Sequence, residues 1–246
     1  MDRLIWTAVT GMNASMARQR VIANNMANAQ TTGFRAEVMA QTPMTLVGPS
    51  VQVRAMSDPA VRGARMDQGA FVATGRPLDI AVQGQALLTV QAPDGAEAYT
   101  RRGDLAVSPS GILVNGEGSA VLGEGGPITL PPGSSVSIAP DGAVLAADPA
   151  QPDQPPAELG RIKLASWQGS TIEKGLDGLF RVKGGGILPV DAEARVIPAT
   201  LEQSNVRPAE VLVEMVEAQR LFEMRTQLIA TARQIDEGGA SLMRLS

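Results

Sequence analysis

Two long segments with an apolar repeat, one at each end of the 246-residue chain, constrain its fold more than any other feature. Between residues 3 and 29 there is no proline and Gly11 is the only glycine. Apolar or small residues recur there at gaps of three and four, which places them on one face of an α-helix. The pattern predicts an amphipathic helix about 40 Å long. Its face consists of Ile5, Ala8, Met12, Ser15, Ile22, Met26 and Ala29.

The carboxyl-terminal segment repeats this pattern. Ser204 or Asn205 can cap a helix there, Pro208 suits its first turn, and Gly238-Gly239 is expected to end it. Arg225 is a polar interruption of the apolar face, which Leu221, Leu228 and Ile235 widen. We predict a second helix of about 30 residues, roughly 45 Å long. Its face consists of Val211, Met215, Ala218, Phe222, Ile229 and Ala232.

Between the two helices the apolar period changes to two. Short alternating runs such as "PLDIAVQ", "LLTVQ", "SVSIA" and "AVLAA" are bounded by Asp-Gly and Asn-Gly pairs, which is typical of antiparallel strands and hairpin turns. Residues 36–76 have neither period and are interpreted as extended connecting chain. The sequence therefore predicts an α+β protein with five parts: 1–35, N-terminal helix; 36–76, extended connector; 77–189, central all-β domain; 190–204, returning connector; 205–246, C-terminal helix.

The apolar seams of the two helices need partners along their whole length. The simplest partner for each helix is the other, so we expect the two to pair as a coiled-coil-like stalk. Such a pair still leaves seam area uncovered, and helices in water are stabilised chiefly by packing. Many copies packed side by side would cover that area. We also expect residues from about 36 to 200, which comprise the central β domain and most of its connectors, to fold on their own.

Composition excludes several classes of function. The chain has no cysteine and no histidine, which removes disulfides, zinc ligand sets, thiol nucleophiles and histidine acid–base catalysis. We expect no metal and no cofactor. Lys and Arg are dispersed, the formal net charge is -4, and aromatic residues are few, so nucleic-acid binding is not indicated.

The amino terminus, "MDRLIWTAVTGM", lacks the apolar core of a secretory signal, because Thr7, Thr10 and Gly11 interrupt it. No window approaches the roughly 18 to 20 apolar residues that span a bilayer. We therefore expect no cleaved leader and no membrane insertion.

Three ordered blocks resemble the flagellar basal-body rod family: "MDRLIWTAVTGM…ANNMANAQTTGFRA", "GRPLDIAVQGQALLTVQAPDGAEAYTRRGDLAVSPSGILVNGEGSAVLG" and "LEQSNVRPAEVLVEMVEAQRLFEMRTQLIATA". The opening, the "GFRA" and the modest length resemble proximal-rod members more than distal-rod members, which are the alternative. "GQALL" and Leu105 depart from the family, which commonly has aromatic residues there. Residues 124–200 match only loosely.

The resemblance implies a structural, non-enzymatic subunit of the rod that crosses the periplasm in the bacterial flagellum basal body and transmits motor torque. It implies export by the flagellar type III apparatus without a cleaved signal. Terminal helices would form the inner core around the export channel. The implied partners are other proximal and distal rod subunits, copies of this chain and the export apparatus.

The interface that this implies lies on the two helices. Asn24 and Asn28 are four residues apart on one helix face and could bond to neighbouring subunits. A helix-end cap followed by a Thr31-Thr32-Gly33 turn explains Asn28 equally without a neighbour. The predicted assembly interface comprises Ile5, Met12, Ile22, Asn24, Asn25, Met26, Asn28, Met215, Phe222 and Ile229.

A competing function is a carboxylate-based hydrolase or binding module for cell-wall glycans, since glycosidases need only two acids. Asp79 and Asp104 are the candidates, although a turn or a solvated strand face explains them without catalysis. The long terminal helices, which an isolated hydrolase does not need, favour the structural role.

Overall fold

The computed structural model describes residues 2–45, 55–149, 151 and 154–243. The protein is α+β, and its chain divides into two compact units. The helical unit contains Met1–Ala27, Glu37–Arg62 and Arg207–Ser246. The β unit contains Asn28–Ala36 and Gly63–Val206, so the chain enters it twice.

The helical unit is built from both ends of the chain. Helix α1, Asp2–Ala27, packs against helix α2, Pro208–Met243. Strands β1, Glu37–Thr45, and β2, Ala55–Ala64, form a two-stranded sheet, and β1 contacts α1. The two terminal helices predicted from the apolar repeat are thereby confirmed as elements.

The start of α2 agrees with its sequence signals, but its end does not. Pro208 is the first helical residue and Glu210 lies in the first turn. Gly238-Gly239 was expected to end the helix, and this is wrong, since α2 continues to Met243. Glycine costs about 1 kcal/mol relative to alanine in a helix and does not forbid one, and the good helix formers that follow continue it.

The β unit holds the remaining strands, all of them short. They are β3 Phe71–Ala73, β4 Ile80–Val82, β5 Ala86–Gln91, β6 Glu97–Thr100, β7 Ala106–Val107, β8 Leu113–Val114, β9 Leu122–Gly123, β10 Gly126–Pro127, β11 Ser135–Ile138, β12 Ala143–Ala147, β13 Ala157–Arg161, β14 Leu164–Ser166, β15 Ile172–Lys174, β16 Phe180–Val182, β17 Val196–Pro198 and β18 Thr200–Glu202.

The largest sheet has five strands in the order β14-β5-β6-β16-β15, and a second has the order β11-β12-β13. Four antiparallel pairs complete the unit: β10-β9, β17-β4, β18-β3 and β7-β8. Strands β17 and β18, which come late in the sequence, therefore pair with the early strands β4 and β3, respectively. The pairing places residues just before α2 beside residues near the start of the unit.

Strand β5 contributes side chains to both apolar clusters of the β unit. Its alternate residues point to opposite faces of the sheet, and both faces are covered. Leu88 and Val90 belong to the larger apolar cluster, whereas Leu87 packs with Tyr99 and Phe180 in the smaller one. Residues 148–156 connect β12 to β13 and are exposed where described.

Tyr99 supplies a spectroscopic test of this core because it is the only tyrosine in the chain. Its hydroxyl donates to Glu97 Oε1 at 2.7 Å and accepts the Leu188 N–H at 2.7 Å. Burial raises the pKa of Tyr99 to about 12. We expect phenolate absorbance to rise with a midpoint near pH 12 in the folded protein, with Tyr99→Phe as the blank.

The same pKa shift determines how the free energy of unfolding changes with pH. An unfolded tyrosine ionises near pH 10, so between about pH 10 and 12 the unfolded chain loses a proton that the folded chain keeps. The stabilisation that comes from the raised pKa of Tyr99 is fully present below pH 10 and is lost as the pH rises through 12. A native midpoint near pH 10 would contradict the burial of this side chain.

Candidate assembly site

The predicted interface residues of α1 differ in burial. Ile22 is buried, Met12 and Met26 are half-buried, and Ile5 belongs to the first turns of the helix. On α2 the predicted residues Met215, Phe222 and Ile229 are all half-buried. The single chain thus covers part of the predicted seam.

Arg225, which interrupts the apolar face of α2, connects the two helices. Its Nη1 donates to the Gly11 carbonyl oxygen and to the Ser15 hydroxyl oxygen. Ser15 is buried. The single glycine of α1 therefore lies where an arginine of the facing helix reaches the backbone, which the apolar repeat did not indicate.

Other apolar side chains on the helices remain open to solvent in the single chain. On α1 these are Val9 and Met16. On α2 they are Leu212, Val213, Val216, Met224, Leu228 and Ile235, of which Leu228 is 65% exposed. Contiguous exposed apolar side chains of this kind are typical of surfaces that another chain covers.

The three asparagines near the end of α1 have different surroundings. Asn25 is buried, and its amide makes two bonds to the backbone of Glu37: Nδ2 donates to the carbonyl oxygen at 3.0 Å and Oδ1 accepts the N–H at 2.8 Å. Asn25 therefore fixes the start of β1 against α1, which offsets its modest helix propensity.

Asn28 lies in the turn after α1. Its Oδ1 accepts the Thr31 hydroxyl at 3.1 Å, and its carbonyl oxygen accepts the Thr31 N–H at 3.1 Å. Gly33 completes the turn with a φ of 69°. Asn28 therefore bonds within the turn of its own chain, and its part in contacts with neighbouring subunits stays a prediction. Asn24 is half-buried on the helix.

Replacing Asn25 by alanine is expected to lower the free energy of unfolding by about 1 to 3 kcal/mol, because two backbone groups of Glu37 lose their partner. Asn13→Ala is the matched control. Asn13 is exposed on the same helix, so its replacement by alanine is expected only to raise the helix propensity. Thermal unfolding and amide exchange at Glu37 measure the difference. Equal stability of the two variants would show that the Asn25 bonds contribute nothing.

A buried ionic cluster, which sequence reasoning missed, lies where the chain enters and leaves the β unit. Arg35 follows the turn after α1, Arg101 follows β6, and Glu202 ends β18; all three side chains are 0–1% exposed. Arg35 Nη2 lies 2.6 Å from Glu202 Oε1, and Arg101 Nη1 lies 3.2 Å from Oε2. We call these three residues the Glu202 cluster.

Backbone groups complete the partners of the cluster. Gly69 donates its N–H to Glu202 Oε1 at 2.8 Å, and a Cβ on Gly69 would lie 1.9 Å from the Gln203 carbonyl oxygen. Arg101 Nη1 donates to the Val82 carbonyl oxygen at 2.6 Å, and its Nη2 donates to that of Gly84. The cluster thus holds five separate chain segments together, at Arg35, Gly69, Val82–Gly84, Arg101 and Glu202.

Two guanidinium groups share one carboxylate, so the cluster carries a net positive charge. Burial lowers the pKa of Arg101 to about 10, and Glu202 opposes that fall. The guanidinium therefore keeps its charge near neutral pH. Arg35 Nε and Nη1 and Arg101 Nε are buried and have no hydrogen-bond partner among the residues that the structure describes, which makes the shared carboxylate more important.

Asn205, three residues before the start of α2, bonds to the same region. Its Oδ1 accepts the Ala36 N–H at 2.7 Å, and its Nδ2 donates to the carbonyl oxygens of Arg65 and Asp67 at 2.7 and 2.9 Å. Asn205 was a candidate helix cap, and this is wrong, because its amide is used by the connecting segments. Ser204, the other candidate cap, accepts the Val206 N–H on its Oγ at 3.2 Å, and because Val206 precedes α2 this bond does not cap the helix.

The two candidate catalytic carboxylates pair with arginines. Asp79 is buried and accepts from Arg76 at 2.5 Å and from Thr74 at 2.6 Å. Asp104 accepts from Arg102 at 2.8 and 2.9 Å. The hydrogen bond to Asp79 raises the pKa of Arg76, and that to Asp104 raises the pKa of Arg102. Both carboxylates therefore form ion pairs with arginines of the same chain.

Among the described residues, no group of three or more acidic side chains could hold a metal ion. In the part of the chain that the structure describes, neither helix has the length and apolar character that crossing a membrane requires.

Three family models match the chain: flagella basal body rod protein over residues 5–35, flagellar hook protein FlgE/F/G D1 domain over residues 81–146, and flagellar basal body rod FlgEFG protein C-terminal over residues 198–242. The chain is also 38% identical over 252 residues to flagellar basal-body rod protein FlgF of Salmonella typhimurium, with 100% of both chains covered. It therefore belongs to the flagellar basal-body rod protein family.

Within this family, the chain is 38% identical over 237 residues to FlgF of Escherichia coli, which covers 94% of each chain. It is 30% identical over 258 residues to the rod protein FlgG of Borreliella burgdorferi, which covers 94% of this chain and 95% of the relative. The chain is thus a FlgF-like rod protein, with FlgG as the alternative type.

Proposed function

We propose that this chain is a structural subunit of the proximal rod that assembles with copies of itself and with other rod proteins through its terminal helices. The observation that carries the proposal is the apolar stripe left exposed on α2. Full burial of each such side chain contributes about 1.5 to 3 kcal/mol, so contact with neighbours along the helix favours assembly. No catalytic role is assigned.

The finer features of this role are also proposals. Residues 1–35 and 205–246 supply the rod core, where α1 and α2 pair as a coiled-coil-like stalk around the export channel. The chain reaches the rod across the periplasm by flagellar type III export without a cleaved signal. The rod then transmits torque through the packed helices. The apolar repeat on both helices and the family membership support these statements.

The residues proposed to contact neighbouring subunits are those predicted from the sequence, with the apolar side chains that remain exposed added to them. For Asn25 a contact within the chain is already present, so its effect on assembly is indirect. The predicted set is Ile5, Met12, Ile22, Asn24, Asn25, Met26, Asn28, Met215, Phe222 and Ile229.

The test is a comparison of two variants in cells that lack the chromosomal copy. Leu228→Glu places a charge in the exposed apolar stripe, and Gln219→Glu adds the same charge at an exposed polar position of α2. We expect both purified variants to unfold like the parent chain, because both positions are exposed. Leu228→Glu should abolish swimming and rod formation, whereas Gln219→Glu should restore both. Normal rods with Leu228→Glu would contradict assembly through this stripe.

A further inference from the structure

The two chain segments joined at the Glu202 cluster run side by side in the same direction. The Gly33 N–H donates to the Glu202 carbonyl oxygen at 2.7 Å, and the Asn205 N–H donates to the Phe34 carbonyl oxygen at 3.3 Å. The Ala36 N–H to Asn205 Oδ1 bond continues the series. Residue numbers rise together along both segments, so residues 33–36 and 202–205 are parallel.

Side chains fasten this parallel pair to the β unit. Glu202 joins Arg35 of the first segment to Arg101, and Arg101 bonds to carbonyl oxygens at the end of β4. Lys174 of β15 donates to the Arg35 carbonyl oxygen at 3.2 Å and lies 3.6 Å from the centre of the Phe34 ring. Both segments are thereby tied to the sheets as well as to each other.

We propose that the Glu202 cluster is a mechanical clamp that resists separation of the two ends of the β unit under load. In a parallel pair, pulling the amino-terminal end of one segment against the carboxyl-terminal end of the other directs the force along both segments. All of the bonds between them are then loaded together in shear. Bonds that are peeled from one end break one at a time under a smaller force.

Burial strengthens the clamp. Water that reaches a strained hydrogen bond can replace one partner and ease its rupture, but Glu202 and Arg35 are both 0% exposed. Opening the clamp must also expose a charged group that has lost its partner, which is costly in a low-dielectric interior. The contribution of Glu202 to mechanical resistance therefore depends on the direction in which the β unit is pulled.

The use of such a clamp in a rotating rod rests on the proposed function, whereas the clamp itself is a property of the isolated chain. A rod subunit that passes torque between its helices and its β unit would load the segments that enter and leave that unit. The measurement below uses purified full-length chain and needs no rod. If this measurement shows no clamp, the rod assignment still stands. If the chain does not assemble into a rod, the result for the clamp still stands.

The experiment is single-molecule unfolding at constant force with two attachment geometries. The chain has no cysteine, so pairs of introduced cysteines serve as handles. Gln30→Cys with Arg207→Cys pulls the clamp in shear; both positions are exposed. Pro132→Cys with Gln151→Cys, also exposed, instead loads strands β11 and β12. In the first geometry we expect Glu202→Gln to raise the unfolding rate by about 100-fold.

In the second geometry the same substitution should change the unfolding rate by less than about threefold, because this geometry does not pull on the clamp. Arg35→Lys, which keeps the charge but loses the planar fork, provides a milder variant should Glu202→Gln fail to fold. We expect it to raise the rate in the first geometry alone. Equal acceleration in both geometries, or no acceleration in the first, would overturn the proposal.

Discussion

Glu202→Gln is expected to lower the free energy of unfolding of the β unit by about 3 to 5 kcal/mol, the largest effect of any single substitution considered. Breaking a buried ion pair costs this much because it leaves a charge in the interior without compensation. Here two guanidinium groups lose one carboxylate. Denaturant unfolding monitored by circular dichroism measures the change.

The matched control is Glu173→Gln. Glu173 pairs with Lys183 at 3.0 Å, but the two side chains are 54% and 63% exposed. Exposed pairs contribute about 0 to 1 kcal/mol, so this variant should unfold almost like the parent chain. A loss of less than about 1 kcal/mol for Glu202→Gln would show that the cluster is not a major source of stability.

The second large effect concerns the boundaries of the β unit. The sequence predicts that residues 36–200 fold alone, but this cut removes Arg35, Glu202 and Asn205 and leaves Arg101 buried without its carboxylate. We expect fragment 28–206, which retains the Glu202 cluster, to unfold in one cooperative transition. Fragment 36–200 should have either no cooperative transition or one at a much lower temperature.

Calorimetry of the two fragments checks this expectation. Fragment 28–206 carrying Glu202→Gln is the informative control, since it keeps the full length and loses only the carboxylate. It should lie between the two fragments in thermal stability. Equal transitions for 28–206 and 36–200 would mean that the connecting segments contribute nothing to the folding of the β unit.

The elements that the sequence predicts well are those whose signal is local. Helices α1 and α2 follow from gaps of three and four, and β5 and β12 follow from short apolar runs beside Asp-Gly turns. The prediction that α2 ends at Gly238-Gly239 is wrong, because composition alone does not decide whether a helix tolerates two glycines.

Strands in the segments interpreted as connectors have weaker signals. Strand β1 contains Pro43 and β2 contains Pro59, residues that argue against a central strand but are tolerated in a two-stranded sheet with open edges. Strand β17 is three residues long and ends at Pro198. Pairing with β4, more than a hundred residues earlier, decides its conformation, and a short window cannot contain that information.

The Glu202 cluster is the clearest case of a feature beyond local prediction. Its residues stand in "GFRA", "TRRG" and "LEQSN", within the blocks that carry the family resemblance, but Arg35 and Glu202 are 167 residues apart. Charged residues are usually exposed, so each one alone is read as surface. The long-range pairing of β18 with β3 is what brings Glu202 into the interior.

Electron cryomicroscopy of basal bodies purified from cells that produce this chain can test directly whether the chain is a subunit of the proximal rod. We expect density for this chain in the proximal rod, with α1 and α2 packed among the helices of neighbouring subunits and the apolar stripe of α2 covered. A complete rod without density for this chain, or a rod in which Leu228 and Ile235 face solvent, would contradict it.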